Sequence, residues 1–388
     1  MSPAHGEGIE GLLAMCASNG LDLEPFASPA GESKEEMASR FLRARKGKVD
    51  AAYDMLSKDI EWRKREGIQE LVNLPVAKIA GVEEEVLFKY FPAWHQGFDK
   101  EGRPVLYTAY GNCEVDTLCK MGASVESLLT YHVYQQETCV RLLASQSQRL
   151  GRKVEKFFFV IDAKGWGLRL WTRQAMRFIK GMADCDSAHY PERLGQMYVI
   201  NCPRALVLTY RVISSWTDPE TASKIRLLGG PDEWQHLLLN AVDSDSLCSL
   251  YGGKSPPPFD PSKMAGYSEG GMRSVTVGAR AEMKLPVTVN EGDYLSWAYK
   301  TEAHDIKFAV YYAPPGEAAT TKSQVVHAAE KHKACGNEVS DTIETCRAGT
   351  YLLVWDNSYS MLTSKNLSYR IENGAKIDEN AALNGSRT

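Results

Sequence analysis

The chain has 388 residues, of which 44% are hydrophobic and 24% charged, and its formal net charge is −4. This length predicts two or three domains, each with a hydrophobic core. The weakly acidic balance excludes a general attraction to nucleic acid or to anionic membranes, so any such contact requires a local patch.

The sequence contains no recognisable secretory signal or membrane anchor. Glu7 and Glu10 precede the short apolar stretch 12–15, whereas a signal peptide begins with basic residues and has a longer apolar core. No run approaches the roughly 18 apolar residues of a membrane span. Nine cysteines without a CxxC pair favour reduced thiols. We therefore expect a cytoplasmic protein that contacts membranes only transiently.

The first 90 residues are predicted to be mainly helical. Residues 1–32, with Gly, Ser, Pro and one weak helical patch, are expected to be a flexible segment. Ser33 and Glu36 form a capping box that begins a helix. A second helix is expected from about Asp50 to Gly67. Residues 33–90 are thus predicted to form a small helical subdomain.

In residues 91–254 short apolar runs alternate with longer helical patterns. Residues 157–161 are apolar at every position, which indicates a strand covered on both faces. The alternation predicts a largely parallel sheet with helical crossovers, an α/β domain. Strands are expected at 104–110, 156–162, 197–202 and 224–228, and helices at 124–149, 169–183, 204–216 and 232–242.

A change of pattern follows the α/β region. Residues 255–271 form a Pro-rich linker, and in residues 272–373 apolar positions alternate strictly, as from Met283 to Val289. Short strands with regular turns predict a β-sandwich of roughly 100 residues. Residues 374–388 are a polar tail. The predicted fold class is therefore multidomain, α/β plus all-β.

Sequence patterns of catalysis or of cofactor binding are incomplete. Residues 252–255 resemble the end of a phosphate-binding loop, but Cys248 stands where the earlier glycine is required and prolines follow where a helix must begin. No nucleophile is paired with a base. His327 and His332 lack further ligands in metal-site spacing. We expect no enzyme activity, no cofactor and no metal site.

A series of short motifs nevertheless occurs in a characteristic order. They lie at residues 41–46, 99–104, 162–165, 190–195, 200–203, 221–225 and 251–253. Together they resemble the CRAL-TRIO family, the fold of yeast-type phosphatidylinositol/phosphatidylcholine transfer proteins. The resemblance implies an apolar lipid pocket above the sheet, closed by a mobile helix that corresponds here to residues 204–216.

The resemblance also implies which residues bind a phosphatidylinositol headgroup. Cations would contact the phosphate, while a carboxylate and a hydroxyl would bond to the inositol hydroxyls. The matching positions are Arg45, Lys46, Glu192, Thr221 and Lys224.

The pocket departs from the family pattern at the choline end. Phosphatidylcholine binders place small hydroxyl residues where this chain has Phe157 and Phe159, and Tyr134 alone matches a family tyrosine. These aromatics suit an apolar second ligand, such as a sterol precursor or tocopherol. The predicted pocket and gate residues are Tyr134, Phe157, Phe159, Leu208, Val212 and Ile213.

The C-terminal region resembles the GOLD domain that follows a CRAL-TRIO domain in animal relatives such as supernatant protein factor. Residues 294–297, 304–306, 355–360 and 364–365 carry this similarity. Two functions remain open at this point. One is a lipid-transfer protein that recognises phosphatidylinositol. The other is a lipid-sensing adaptor whose sandwich docks a trafficking protein at the Golgi or endosome.

Overall fold

The computed structural model describes residues 3–167, 170–203, 206–207, 210, 214–215, 218–264, 272–335 and 338–374. Two compact units are present. The first contains N-terminal helices and a five-stranded sheet, and the second contains two four-stranded sheets. Within the described residues, no helix is long and apolar enough to cross a membrane, and no group of three or more His, Cys, Asp or Glu residues is placed to hold a metal ion.

Helices make up most of residues 3–90, including the segment 33–90 that was predicted to be helical. They are α1 (Pro3–Ser18), α2 (Glu24–Ala27), α3 (Lys34–Ala44), α4 (Val49–Arg65), α5 (Ile68–Leu71), α6 (Val76–Ala80) and α7 (Glu84–Tyr90). The capping box at the start of α3 is confirmed. Ser33 Oγ accepts a hydrogen bond from the Glu36 backbone N–H at 3.2 Å, and the Glu36 carboxylate accepts one from the Ser33 N–H at 2.9 Å.

Helix α1 does not agree with the expectation of a flexible segment over residues 1–32. Its buried residues Ile9, Leu12 and Cys16 pack in one cluster with α3 and α4. Their spacing of three and four residues places them on one face of the helix. Glycines and polar residues between them weaken the pattern in the sequence, so the apolar face was missed.

The five-stranded sheet confirms the predicted α/β alternation. Its strands, in spatial order, are β1 (Ala93–Phe98), β2 (Pro104–Thr108), β3 (Phe157–Asp162), β4 (Leu194–Ile200) and β5 (Ile225–Leu227). Strand β1 is antiparallel to β2, and the other neighbouring pairs are parallel. The helices of this part are α8 (Val115–Lys120), α9 (Val125–Leu150), α10 (Arg173–His189), α11 (Pro219–Ser223) and α12 (Pro231–Ala241).

The two faces of this sheet are covered to different degrees. On one face, Tyr107, Phe158 and Tyr198 are buried in a cluster with α12 and with residues 247–251. The other face packs on α9 at its β2–β3 side. Toward β5 the same face is less covered. Several apolar side chains that lie next to one another on neighbouring strands are only half-buried there. These are Phe159, Ile161, Met197, Ile225 and Leu227.

The C-terminal unit confirms the all-β prediction. Its strands are β6 (Arg273–Val277), β7 (Glu282–Val289), β8 (Tyr294–Thr301), β9 (Ile306–Ala313), β10 (Gln324–His332), β11 (Val339–Glu344), β12 (Gly349–Asp356) and β13 (Lys365–Gly374). One antiparallel sheet has the order β10-β9-β12-β7 and the other β11-β8-β13-β6. Trp297, Tyr299, Phe308 and Trp355 are fully buried in its core.

Candidate functional site

Three predicted headgroup residues, Glu192, Thr221 and Lys224, lie along the edge of the parallel sheet where its strands begin. Glu192 precedes β4 by two residues, and Lys224 immediately precedes β5. Since β4 and β5 are parallel neighbours, both residues belong to the same edge. The Lys224 carbonyl accepts a hydrogen bond from the Met197 N–H at 2.9 Å, which fixes its position against β4. Thr221 lies in α11, one turn before Lys224.

The basic end of α3 is held at this same edge by two arginines. Arg40 Nη1 donates to the carbonyl of Pro191, next to Glu192, at 3.3 Å. Arg43 Nη2 lies 3.1 Å from a carboxylate oxygen of Glu155, two residues before β3. The fold therefore brings the basic end of α3 to the turn that carries Glu192.

The basic pair at the end of α3 differs from Lys224 in its contacts. Arg45 is half-buried and donates to the Ala44 carbonyl at 3.1 Å, while Lys46 is exposed. Neither forms an ion pair within the described part of the chain. Lys224 is 16% exposed and lies 3.1 Å from a Glu220 carboxylate oxygen. All three cations therefore have surface that an anionic group can reach.

Two of the predicted residues have an unusual backbone conformation. Glu192 has φ 62° and Lys46 has φ 53°, in the left-handed region that glycine favours. Such conformations are stabilised only by their surroundings and are frequent at functional sites. Among the described residues, the half-buried Glu192 carboxylate has no hydrogen-bond or ion-pair partner. It can therefore accept hydrogen bonds from a ligand.

A buried charge cluster beneath this edge was missed by sequence reasoning. The Glu32 carboxylate accepts hydrogen bonds from Arg40 Nε at 3.2 Å and Nη2 at 3.0 Å, and it lies 2.9 Å from Arg193 Nη2. Burial alone would raise the pKa of Glu32, but the two arginines lower it to about 2. Burial, reinforced by Arg40, lowers the pKa of Arg193 to about 10. Glu32 and Arg193 therefore remain charged at neutral pH.

A second buried network lies beside the first. Arg63 contacts Asp59 at 3.0 Å and Glu137 at 2.9 Å, and the Tyr190 hydroxyl donates to Glu137 at 2.7 Å. A cleft of about 90 Å³ is lined by residues of both networks. Pockets for drug-sized ligands occupy about 300–1,000 Å³, so this cleft is too small to hold a lipid.

The structure brings two of the predicted pocket aromatics together, and Tyr134 lies apart from them. The Phe157 and Phe159 rings meet edge to face at 5.2 Å, beside Cys139 of α9. Tyr134 instead stacks on Tyr131 at 5.9 Å in a different cluster. Residues 134 and 139 are five apart on one helix, so their side chains point about 140° away from each other.

The predicted gate residues fall outside the part of the chain that the structure describes. Leu208, Val212 and Ile213 lie outside the described residues, as does most of the expected helix 204–216. Of the predicted pocket and gate residues, the structure therefore describes Tyr134, Phe157 and Phe159.

Comparisons with known proteins agree with the α/β fold described above. Residues 88–253 match the family model of the CRAL/TRIO domain, and residues 19–58 match that of the CRAL/TRIO N-terminal domain. The second match begins before residue 33, where the helical subdomain was expected to start.

Curated relatives extend the similarity. The chain is 29% identical over 218 residues to the phosphatidylinositol/phosphatidylcholine transfer protein SFH7 of Arabidopsis thaliana, which covers 56% of this chain and 39% of that protein. It is 28% identical over 334 residues to Patellin-2 of the same organism, which covers 84% of this chain and 45% of Patellin-2. The chain thus spans less than half the length of these relatives.

A solved structure shares the fold. The crystal structure of Sfh5 has a TM-score of 0.51 at 16% sequence identity, and the match covers 68% of this chain and 91% of that one. At this identity the likeness concerns the fold alone. By the two family models, residues 88–253 are a CRAL/TRIO domain, preceded by its N-terminal domain at residues 19–58.

Proposed function

We propose that this chain binds phosphatidylinositol in its CRAL/TRIO domain and exchanges the lipid with membranes. The observation that carries the proposal is the shared sheet edge, where the basic end of α3, the Glu192 turn and Lys224 are held by backbone and side-chain contacts. The names of relatives such as SFH7 support the lipid class.

The chemistry of the edge suits a phosphoinositol headgroup. Lys224, Arg45 and Lys46 supply cations for the phosphate, and charge-assisted hydrogen bonds of this kind are stronger than neutral ones. Glu192 and Thr221 supply acceptors for the inositol hydroxyls. A lipid phosphate competes with Glu220 for Lys224, and the exposed Glu220 carboxylate returns to water at little cost. No bond is broken in this scheme, so the proposal needs no catalytic residue.

The acyl chains are assigned to the half-buried face of β3, β4 and β5. Each methylene that leaves water gains about 0.8 kcal/mol, so a partly covered apolar sheet face stabilises bound chains. Phe157 and Phe159 fill the end where a choline group would need hydroxyl partners, and Tyr134 packs elsewhere. An apolar second ligand, such as a sterol precursor or tocopherol, fits this end better than choline.

We assign the C-terminal sandwich to the GOLD type. The alignment with Patellin-2 is too long to fit within residues 1–253, so it includes part of the sandwich. The sandwich has a core of its own, which suits an appended binding module. The alternative function is therefore a lipid-sensing adaptor that docks a trafficking protein at the Golgi or endosome. Transfer between donor and acceptor vesicles separates the two functions, because an adaptor binds the lipid without moving it.

Substitution of the headgroup residues tests the site. Lys224→Ala and Glu192→Ala are each expected to reduce phosphatidylinositol loading about tenfold or more, since a hydrogen bond to a charged group contributes about 1.5–3 kcal/mol. Loading is measured by mass spectrometry of the lipid retained after incubation of the purified protein with phosphatidylinositol vesicles.

The matched control for Lys224→Ala is Lys254→Ala. Lys254 also pairs with a nearby carboxylate, Asp245 at 3.0 Å, but it is not one of the predicted headgroup residues. The control should load phosphatidylinositol like the unmodified protein, and melting curves should show that every variant is folded. Undiminished loading by both Lys224→Ala and Glu192→Ala would remove the site assignment.

A further inference from the structure

The most exposed large apolar side chains among the described residues are neighbours in sequence. Leu362 is 94% exposed and Met361 69%, and both lie in the loop of residues 357–364 between β12 and β13. We call residues 357–364 the tip loop. A side chain exposed to this degree projects into solvent and lines no groove. Paired exposed apolar residues are a liability in water unless they serve a contact.

The tip loop is held in place by the sandwich. Asn357 is completely buried, and its Nδ2 donates to the carbonyls of Val277 at 3.2 Å, Gly278 at 2.9 Å and Thr363 at 2.9 Å. The bond to Thr363 closes the loop directly beside the apolar pair. The exposure of Met361 and Leu362 is therefore imposed by the fold.

Cations surround the base of the tip loop. The ammonium groups of Lys307, Lys331 and Lys365 lie 5.1, 4.6 and 4.2 Å from the centre of the Tyr359 ring. Asp305 pairs with Lys331 at 2.9 Å and with Lys365 at 3.1 Å. Three ammonium groups and one carboxylate thus lie around the Tyr359 side chain.

A fourth cation and a second carboxylate complete this surface. The Arg280 backbone N–H donates to the Ser360 carbonyl at 3.1 Å, and the Arg280 side chain is exposed. The Asp356 carboxylate accepts a hydrogen bond from the Ser358 N–H at 2.6 Å. These six groups carry four positive and two negative charges, in a chain whose net charge is −4.

We propose that the tip loop docks on membranes that contain anionic phospholipid. Met361 and Leu362 enter the boundary between headgroups and acyl chains, while Arg280, Lys307 and Lys331 contact lipid phosphates. A projecting apolar pair beside basic residues suits a lipid interface, because lipids are fluid and rearrange around a protruding side chain. A protein partner would instead need a complementary pocket, which the geometry of this loop does not specify.

Vesicle co-sedimentation of the full chain tests the apolar contact. We expect binding to vesicles of phosphatidylcholine and phosphatidylserine to fall at least about tenfold in Met361→Ser/Leu362→Ser, because burial of two such side chains is lost. The Leu362→Phe variant should retain binding, since it keeps an apolar tip.

The matched control for this pair is Val325→Ser/Val326→Ser. These adjacent valines are 55% and 38% exposed on β10 of the same sandwich, remote in sequence from the tip loop. The control should bind vesicles like the unmodified protein. Melting curves of all variants establish that the sandwich is intact. Equal binding by Met361→Ser/Leu362→Ser and the unmodified protein would overturn the proposal.

The charge contribution has its own test. A basic residue near an anionic surface gains about 1 kcal/mol, so Arg280→Gln should weaken binding to phosphatidylserine vesicles about fivefold. It should change binding to pure phosphatidylcholine vesicles little. Added salt should weaken binding of the unmodified protein to the anionic vesicles. Binding that is indifferent to phosphatidylserine would overturn the proposal, because the partner would then not be an anionic membrane.

Discussion

Glu32→Gln is expected to lower the free energy of unfolding of the first compact unit by about 3 kcal/mol near neutral pH. The substitution keeps the shape of the side chain but removes a carboxylate that contacts both Arg40 and Arg193. Two buried guanidinium groups are then left without that counter-charge, which is costlier than the loss of a surface ion pair. Urea unfolding followed by circular dichroism provides the measurement.

The pH dependence of this effect has a definite sign. The folded-state pKa of Glu32, about 2, is below its ordinary value of 4.5. The stabilisation is therefore complete above the ordinary value and is lost as the pH falls toward 2. The difference in stability between the unmodified protein and Glu32→Gln should shrink over that acid range. Glu35→Gln, an exposed position in the first turn of α3, should change stability far less than Glu32→Gln does. An equal loss in both variants would contradict the role of the buried cluster.

Asn357→Asp is expected to destabilise the sandwich by about 4 kcal/mol or more. The substitution preserves the volume of the side chain, but it replaces the donor that serves three backbone carbonyls with an acceptor. A carboxylate at this fully buried position faces those carbonyls without a donor, so it is either unpaired or protonated. The midpoint of thermal unfolding of the C-terminal unit should fall accordingly.

Asn373→Asp is the matched control for this substitution. Asn373 also donates to a backbone carbonyl, that of Thr288 at 3.2 Å, but it is exposed, so water replaces the lost bond. Its effect should remain below about 1 kcal/mol. If Asn357→Asp is as stable as Asn373→Asp, then the three carbonyls have other partners and the tip loop is not fixed by Asn357.

The periodicity of the sequence predicted most of the architecture. Consecutive apolar residues at 157–161 indicated a central strand, and strict alternation from Met283 to Val289 indicated β7; both are confirmed. Helix α1 was missed because three buried residues are distributed among glycines and polar residues. Strand β1 was missed because Ala93, Gln96 and Gly97 have little strand preference, and its pairing with β2 decides its conformation.

The candidate site was predictable only where its residues belong to motifs. Glu192 and Lys224 were found through their motifs, and the shared edge follows from the parallel pairing of β4 and β5. Glu32 could not be found in this way, since its role depends on Arg40 and on Arg193, 161 positions further along the chain. A contact between residues so distant in sequence leaves no local pattern. The assignment of headgroup roles remains a prediction.

The buried charge cluster of Glu32, Arg40 and Arg193 affects how the proposed site binds a lipid. Glu32 connects Arg40, on the helix that precedes Arg45, to Arg193, the residue after Glu192. If the proposed headgroup roles hold, the spacing between the phosphate cations and the inositol acceptor is set before the lipid binds. A preorganised site avoids the entropic cost of ordering its side chains on binding. Weakening the contacts of Glu32 with Arg40 and Arg193 should therefore shorten the residence time of the lipid. Glu32 itself is buried and is not one of the predicted headgroup residues.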